Sequence, residues 1–316
     1  MISVIVPAFN AKSTIGECVK AVLKQKTQEE FELIIVDDGS TDKTFEMAKK
    51  FRKAKIYVKK HSGPAAARNS GARKAKGEII LFTDSDCIPA ENWIEEMAKP
   101  FKEKKVVAAQ GAYKTKQKSL VARFVQQEIE DRYNKMKKSE EIDWVGTYSA
   151  AYRKKTFFEV KGFDEGFPIA SGEDIDLSFK LSKKGRIEFN PKAIVYHKHP
   201  SSLLNYFKTK FFRGYWRVPL YQKHPKKIVR DSFTPQILKF QIIIFYLIVI
   251  SLIASIFYAG FVAAALILLI LLFASTLPFT AKAIRKDFYA GLFSPAIIFF
   301  RTAAFASGLL AGALKR

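Results

Sequence analysis

A chain of 316 residues is long enough for one large α/β domain or two smaller units, and 53 Lys and Arg against 30 Asp and Glu leave it at +23. That balance calls for an anionic partner, either nucleic acid or a membrane surface joined to phosphorylated substrates, and two scattered cysteines make neither a disulfide framework nor a cysteine metal site. No nucleic-acid motif accompanies the charge, whereas long apolar stretches do, so the membrane is the expected partner and nucleic acid is not.

The chain begins MISVIVPAF, an apolar strand with no basic n-region and no small-residue cleavage site, so nothing suggests export of the first domain, and the sparse cysteines lead to the expectation of a reduced, cytosol-facing one. SVIVP, ELIIVD, KIYVKK, EIILFT and VVAAQGAY are apolar nearly throughout, as strands covered on both faces are. Between the first two, STIGECVKAVLKQ repeats Ile15, Cys18, Val19, Val22 and Leu23 at helical spacing, with Thr14 and Glu17 as a capping box. Such alternation predicts a doubly wound parallel or mixed sheet, whose ligands bind beyond the carboxyl ends of the strands where the strand order reverses. That rule gathers Pro7, Phe9 and Asn10, then Asp37 and Asp38, then Asp84 and Asp86, onto one rim.

Each rim motif has a chemical reading. In VDDGSTD a turn and a helix cap account for Ser40, Thr41 and Asp42, which leaves one of Asp37 and Asp38 to accept from a nucleobase N–H. SGPAAARNSGARKAKG opens a small-residue helix whose N-terminus suits phosphate, with Arg68 within reach of it; close packing explains the small residues equally well. In LFTDSDCIP a turn accounts for one aspartate, whereas two suit a hard divalent cation neutralising a diphosphate leaving group. SGEDIDLSFKLSKKG predicts a helix with Glu173 and Asp174 at its positive end; Asp174 and Asp176 point apart, so one is a base while the other is solvated. His197 and His199 follow a strand-like run in IVYHKHP.

Further on, YFKTKFFRGYWRVPLYQKHPKK interleaves aromatic and basic residues, as a helix in the headgroup layer would. Residues 240 to 281 carry no charge, about twice the ~20 residues of one crossing, so spans at about 238–258 and 261–281 are expected, flanked by basic residues on one side. A third apolar segment, 288–314, has Arg301 at its centre and either spans with Arg301 facing protein or lies shallow, the shallow placement being preferred. Of the net charge, +17 belongs to the chain before Gln236.

VIVPAFN, IIVDDGSTD, GPAAARNSGARKAKGEIILFTDSD, GFDEGF and GEDIDLSFKL, in that order over roughly residues 1–200, resemble the family 2 glycosyltransferases of the GT-A fold. The resemblance implies an α/β, Rossmann-like mixed sheet flanked by helices in residues 1–205. Here it would be followed by a basic and aromatic interfacial linker, 206–235, and a membrane domain, 236–316, built on a transmembrane helical hairpin. It implies a nucleotide-sugar donor, a divalent metal (Mn²⁺ or Mg²⁺) and inversion at the anomeric carbon. Pro7, Phe9, Asn10, Asp37, Asp38, Arg68, Asp84 and Ser85 would line the donor, Asp84, Asp86 and His197 the metal, and Asp174 would be the base. Tyr148, Ser149, Glu173 and Arg213 would fall on the acceptor side. The chain departs from the family in reading GTYSAAYRK where a Gly-Asn pattern is usual. It also reads KFFRG where processive synthases carry QxxRW, which argues for single addition. The expected enzyme is a multi-pass membrane protein with a cytoplasmic catalytic domain, glycosylating a membrane-borne, lipid-linked hydroxyl in envelope glycan or glycolipid synthesis. The alternatives are a polyprenyl-phosphate sugar synthase and a catalytically silent membrane-tethered binding protein.

Overall fold

The computed structural model describes residues 1–167, 172–229 and 234–315, so Ser171 of the acidic motif and residues 230–233 of the expected linker lie outside the described residues. The chain forms two compact units, Met1–Lys116 with Asp131–Lys198, and Gln117–Glu130 with His199–Arg316. The second unit therefore begins earlier than the boundary expected at residue 205 and takes in a segment read as catalytic.

In the first unit, β1 (Ile2–Ala8), β2 (Phe31–Asp37), β3 (Ala54–Val58) and β4 (Ile79–Phe82) pair in parallel in the order β3-β2-β1-β4. Val4, Ile5, Val6, Ile34 and Ile35 are wholly buried, which is why these strands read as continuous apolar runs. The sheet continues through β7 (Ala150–Arg153), antiparallel to β4, then β6 (Val106–Lys114), β8 (Arg186–Tyr196) and a short β5 (Ile88–Pro89) at the edge. Strand order reverses beside β1, so the ends of β1, β2 and β4 share a rim, as the alternation predicts.

Helices α1 (Ile15–Leu23), α2 (Thr44–Lys49), α3 (Pro64–Lys74), α4 (Trp93–Ala98), α6 (Lys154–Glu159) and α7 (Glu173–Leu181) flank the sheet, and α5 (Leu120–Met136) is shared between the units. The capping box is not formed: the Thr14 hydroxyl donates to the Ala11 carbonyl at 3.4 Å and makes no cap bond to α1. Small residues on α3 serve close packing, because a Cβ at Gly71 would come within 2.5 Å of Ile5 on β1. An aromatic cluster of Phe82, Tyr152, Phe157 and Phe163 fills the core beneath β4 and β7.

The second unit contains α8 (Leu203–Lys223), α9 (Gln236–Ala254), α10 (Gly260–Ala274), α11 (Leu277–Lys286), α12 (Phe288–Leu292) and α13 (Ser294–Leu314). Among the described residues, three stretches are long and apolar enough to cross a membrane: Gln236–Ala254, Gly260–Lys286 and Ser294–Leu314. The first two bracket the expected turn at Tyr258–Gly260, though the second extends to Lys286, where basic side chains can reach back toward water from a helix end. Helix α8 packs directly against α13: a Cβ on Gly214 would collide with the Phe305 carbonyl, and one on Gly308 with that of Phe211.

Arg301 faces protein. Its guanidinium donates to Glu128 at 2.9 Å and to Gln241 at 2.7 Å, while Lys210 donates to the other oxygen of Glu128 at 2.7 Å. All three charged side chains are under one-tenth exposed. Burial would raise the Glu128 carboxyl, but Lys210 and Arg301 hold it well below the usual range.

Candidate active site

The loops after β1 and β2 are tied together before any ligand is considered. Asn10, at φ 49°, accepts from the Thr41 amide at 2.9 Å, the Ser40 hydroxyl accepts from the Asn10 amide at 3.0 Å, and Thr44 accepts from the Ala11 amide at 2.7 Å. Asn tolerates that left-handed backbone better than most residues do, which explains its place after the strand. Pro7 is buried within β1, and Phe9 projects from its end, 44% exposed and stacked on His61 with centroids 4.1 Å apart.

Both aspartates of the β2 loop are buried and hydrogen-bonded within the protein. Asp37 accepts from the Ser40 amide at 2.8 Å, the turn role foreseen for its neighbours. Asp38 accepts from Lys59 at 2.8 Å and from the amides of Ser62 and Gly63, the latter at 2.8 Å, and lies 2.9 Å from His61 Nδ1. The expected phosphate site at the α3 N-terminus is thus filled: the anion that meets those amides is the Asp38 carboxylate.

Arg68, one turn into α3 and 3% exposed, donates to Asp84 at 2.9 Å and to Glu173 at 2.8 Å. Its burial opposes the charge, but Asp84 and Glu173 outweigh that and raise its pKa further. Asp84, at the end of β4, is therefore held by an arginine. Glu173 also accepts from the Gly172 amide and is 1% exposed, which corrects its acceptor-side placement: burial with Arg68 leaves it no open face. Asp174, the next residue on α7, is half-exposed. Asp176 is not solvated as expected; it is buried and pairs with Lys180 at 2.5 Å.

Across the DSD loop, Asp86 Oδ2 lies 3.2 Å from His197 Nε2. Desolvation would raise the Asp86 carboxyl, but the hydrogen bond and charge of His197 hold it below the ordinary range. Asp86, Cys87 and His197 each place a ligand atom within 4.8 Å of the others. An oxygen–nitrogen pair so close, with Asp86 half-exposed, fits a hard divalent cation; the buried Cys87 thiol, pushed up by burial and by Asp84 and Asp86, fits one poorly. Ser85, between the two aspartates, is half-buried. His199 parts from His197, falling in the second unit with its ring 3.0 Å from Gln126.

Tyr113 closes this side. Its ring stacks on Tyr148 and tilts against His197 at 4.9 Å, and burial together with Cys87 and Asp84 raises its phenol. The Tyr133 hydroxyl accepts from the Tyr113 amide at 2.7 Å and meets the Tyr148 hydroxyl at 2.9 Å. Tyr148 is thus a nearly buried member of an aromatic stack. Ser149 is wholly buried, accepting from Trp93 at 2.8 Å, so its expected acceptor role is corrected to a core one. Arg213 is exposed on α8 of the second unit.

Comparison with known proteins follows this geometry. The family model for glycosyl transferase family 2 matches residues 3–160, half of the chain. The chain belongs to glycosyl transferase family 2. A pre-mycofactocin glycosyltransferase of Mycobacterium tuberculosis is 28% identical over 236 residues, 72% of this chain and 48% of that protein. Glycosyltransferase GlyG of Streptococcus pneumoniae is 40% identical over 118 residues, 36% of this chain and 39% of that protein. The matches thus span less than half the length of these relatives. Mannosyltransferase PcManGT from Pyrobaculum calidifontis, solved with GDP-Man and Mn²⁺, aligns at a TM-score of 0.58 and 20% identity over 99% of this chain and 86% of that one. GalNAc-T7, solved with UDP, GalNAc and Mn²⁺, aligns at 0.52 and 18% over 74% and 52%. Both likenesses show the GT-A fold.

Tyr113, His61 and Lys59 stand at this rim although no sequence motif singled them out. Tyr113 was within reach of the strand-end rule, since β6 and β8 are parallel and Tyr113 and His197 leave their ends together. Lys59 and His61 sit after β3, a strand end given no polar role.

Proposed function

We propose that the enzyme transfers a sugar, with inversion, from a nucleotide-diphosphate sugar to a hydroxyl of a membrane-associated, lipid-linked acceptor at the cytoplasmic face. The observation that carries this reading is the convergence at one rim of the Asp86–His197 pair, the Arg68-held Asp84 and the open Asp174. A divalent cation held by Asp86 and His197 would neutralise the diphosphate leaving group. Asp84 and Ser85 face the donor, Phe9 and His61 flank its base, and Pro7, Asn10, Asp37 and Asp38 shape that pocket from within. Arg68 and Glu173 position Asp84.

Asp174 acts as base. As the acceptor oxygen bonds to the anomeric carbon, the bond from that carbon to the diphosphate oxygen breaks on the opposite face, and the acceptor proton passes to the Asp174 carboxylate. Candidate spans on the same chain support a membrane-borne acceptor, because they confine enzyme and acceptor to one surface. A panel of nucleotide sugars assayed with Mn²⁺ tests donor class. Asp174→Asn is expected to lower transfer by ~10² or more while leaving donor affinity within twofold, and wild-type turnover in that variant would remove the base from the mechanism.

A further inference from the structure

Helix α13 meets the length and composition of a membrane crossing and packs Phe299 and Phe305 on α9, yet two of its other neighbours in the second unit, α5 and α8, are too polar for hydrocarbon. Its first two turns pack Ile297 and Ile298 against Val121, Phe124 and Val125 of α5. That part of α5 also bears Arg123, Gln126, Gln127, Glu128 and Glu130, and Glu128 binds Arg301. A helix so polar marks water or headgroups, so α13 up to Arg301 lies at that level. The thirteen residues that remain, Thr302 to Leu314, extend only ~20 Å at ~1.5 Å per residue, against ~30 Å of hydrocarbon.

Those thirteen residues do not run alone. Lys210 and Arg301 share Glu128, Gly214 abuts Phe305, Gly308 abuts Phe211, and Gly312 would bring a Cβ within 3.1 Å of Val218. The Lys315 ammonium lies 5.7 Å over the Tyr215 ring. Helix α8 therefore accompanies α13 in parallel from Arg301 to its end, backbone against backbone. Between Leu203 and Lys223, α8 has Lys208, Lys210, Arg213, Arg217 and Lys223 and no acidic residue. A crossing by α13 would draw the exposed Arg213 into the bilayer, where a charged side chain is strongly disfavoured. Exposed Phe212, Phe300, Leu310 and Leu314 on the same pair give it apolar surface for acyl chains.

We propose that α8 and α13 lie together in the headgroup layer of an anionic bilayer, with the exposed Lys208 and Arg213 of α8 on lipid phosphates, and that α9 and the α10–α11 segment are the two crossings. The pair is continuous with those crossings: Gln241, one turn into α9, bonds Arg301, and the Lys239 ammonium donates to the carbonyls of Ile228 and Val229 just beyond α8. The loop before α9 and the far end of α13 therefore emerge on one side.

Side of emergence is the test. Single cysteines are introduced as Lys227→Cys, Tyr258→Cys and Lys315→Cys, with the parent, whose Cys18 and Cys87 are buried, as background. Each is exposed to a membrane-impermeant maleimide in intact cells and in inverted vesicles. The expected result is that positions 227 and 315 label from one side and position 258 from the other. Labelling of 315 together with 258 overturns the proposal, since α13 would then cross. A nitroxide on Arg213→Cys, an exposed basic position of α8, in phosphatidylglycerol-rich vesicles gives an independent reading. Relaxation by a water-soluble paramagnetic complex is expected to exceed that by oxygen, and the reverse ratio overturns the placement. Neither readout depends on sugar transfer.

Discussion

Replacing Glu173 by Gln separates a structural from a chemical role for the first residue of the acidic helix. Arg68 is 3% exposed and spans two carboxylates, Asp84 at 2.9 Å and Glu173 at 2.8 Å. Removing one partner of a buried ion pair costs about 3–5 kcal/mol when the surviving charge is left uncompensated. Here Asp84 still pairs with the guanidinium, and a glutamine oxygen can still accept from it. The expected loss is therefore about 2–3 kcal/mol, which lowers the melting temperature of the full chain in detergent by about 4–10 °C. Asp84 loses part of its anchorage, so donor affinity falls several-fold as well. An acceptor-side Glu173 would behave in the opposite way, raising acceptor KM with melting temperature and donor affinity unchanged, and that result would refute the reasoning. A cycle with Arg68→Met should return a coupling energy of at least about 1 kcal/mol, because the two side chains touch.

Three further outcomes are expected. Asp86→Ala should weaken Mn²⁺-dependent donor binding by tenfold or more in calorimetric titration; an unchanged titration would remove Asp86 and His197 from cation binding. Burial, with Arg213 and Arg301 adding to it against the pull of Glu128, lowers the Lys210 ammonium to about 7 from 10.5. The folded state then binds fewer protons than the unfolded one between those values, so stability should rise with pH from 7 toward 10, by up to about 1 kcal/mol per unit. Melting curves at pH 7 and 9 should show this, and Lys210→Met should flatten the dependence. Gly308→Leu, which forces a side chain between the backbones of α8 and α13, should cost at least about 1–3 kcal/mol; a variant as stable as Gly308→Ala would mean the helices separate freely.

Strands β1, β2 and β4 were legible because they are largely buried on both faces and so carry the pattern in composition alone, whereas the edge strand β3 is part-exposed. The positions of Asp84 and Asp86 at the end of β4 were legible from the strand-end rule, and those of Asp174 and His197 from the motif order of the resemblance alone. Glu173 and Ser149 were not, since neighbours in a motif can face opposite ways: Asp174 opens to solvent while Glu173 turns inward to a cation contributed by α3. The surroundings of Asp38 were hidden for a related reason. Its partners, Lys59, Ser62 and Gly63, come from the loop after β3, and no local pattern announces a contact made across the sheet edge. The α8–α13 pairing hid in single glycines, whose meaning depends on what stands opposite.

The shared guanidinium of Arg68 also limits how this enzyme can be rebuilt. The DSD loop and the acidic helix look like separable cassettes, far apart in the chain and each short enough to exchange with a relative. They are joined through one side chain borne by a third segment, so a chimera that imports either alone inherits a carboxylate count its arginine was not placed to balance. Segment swaps meant to retarget the donor should move α3, the loop after β4 and the start of α7 as one set.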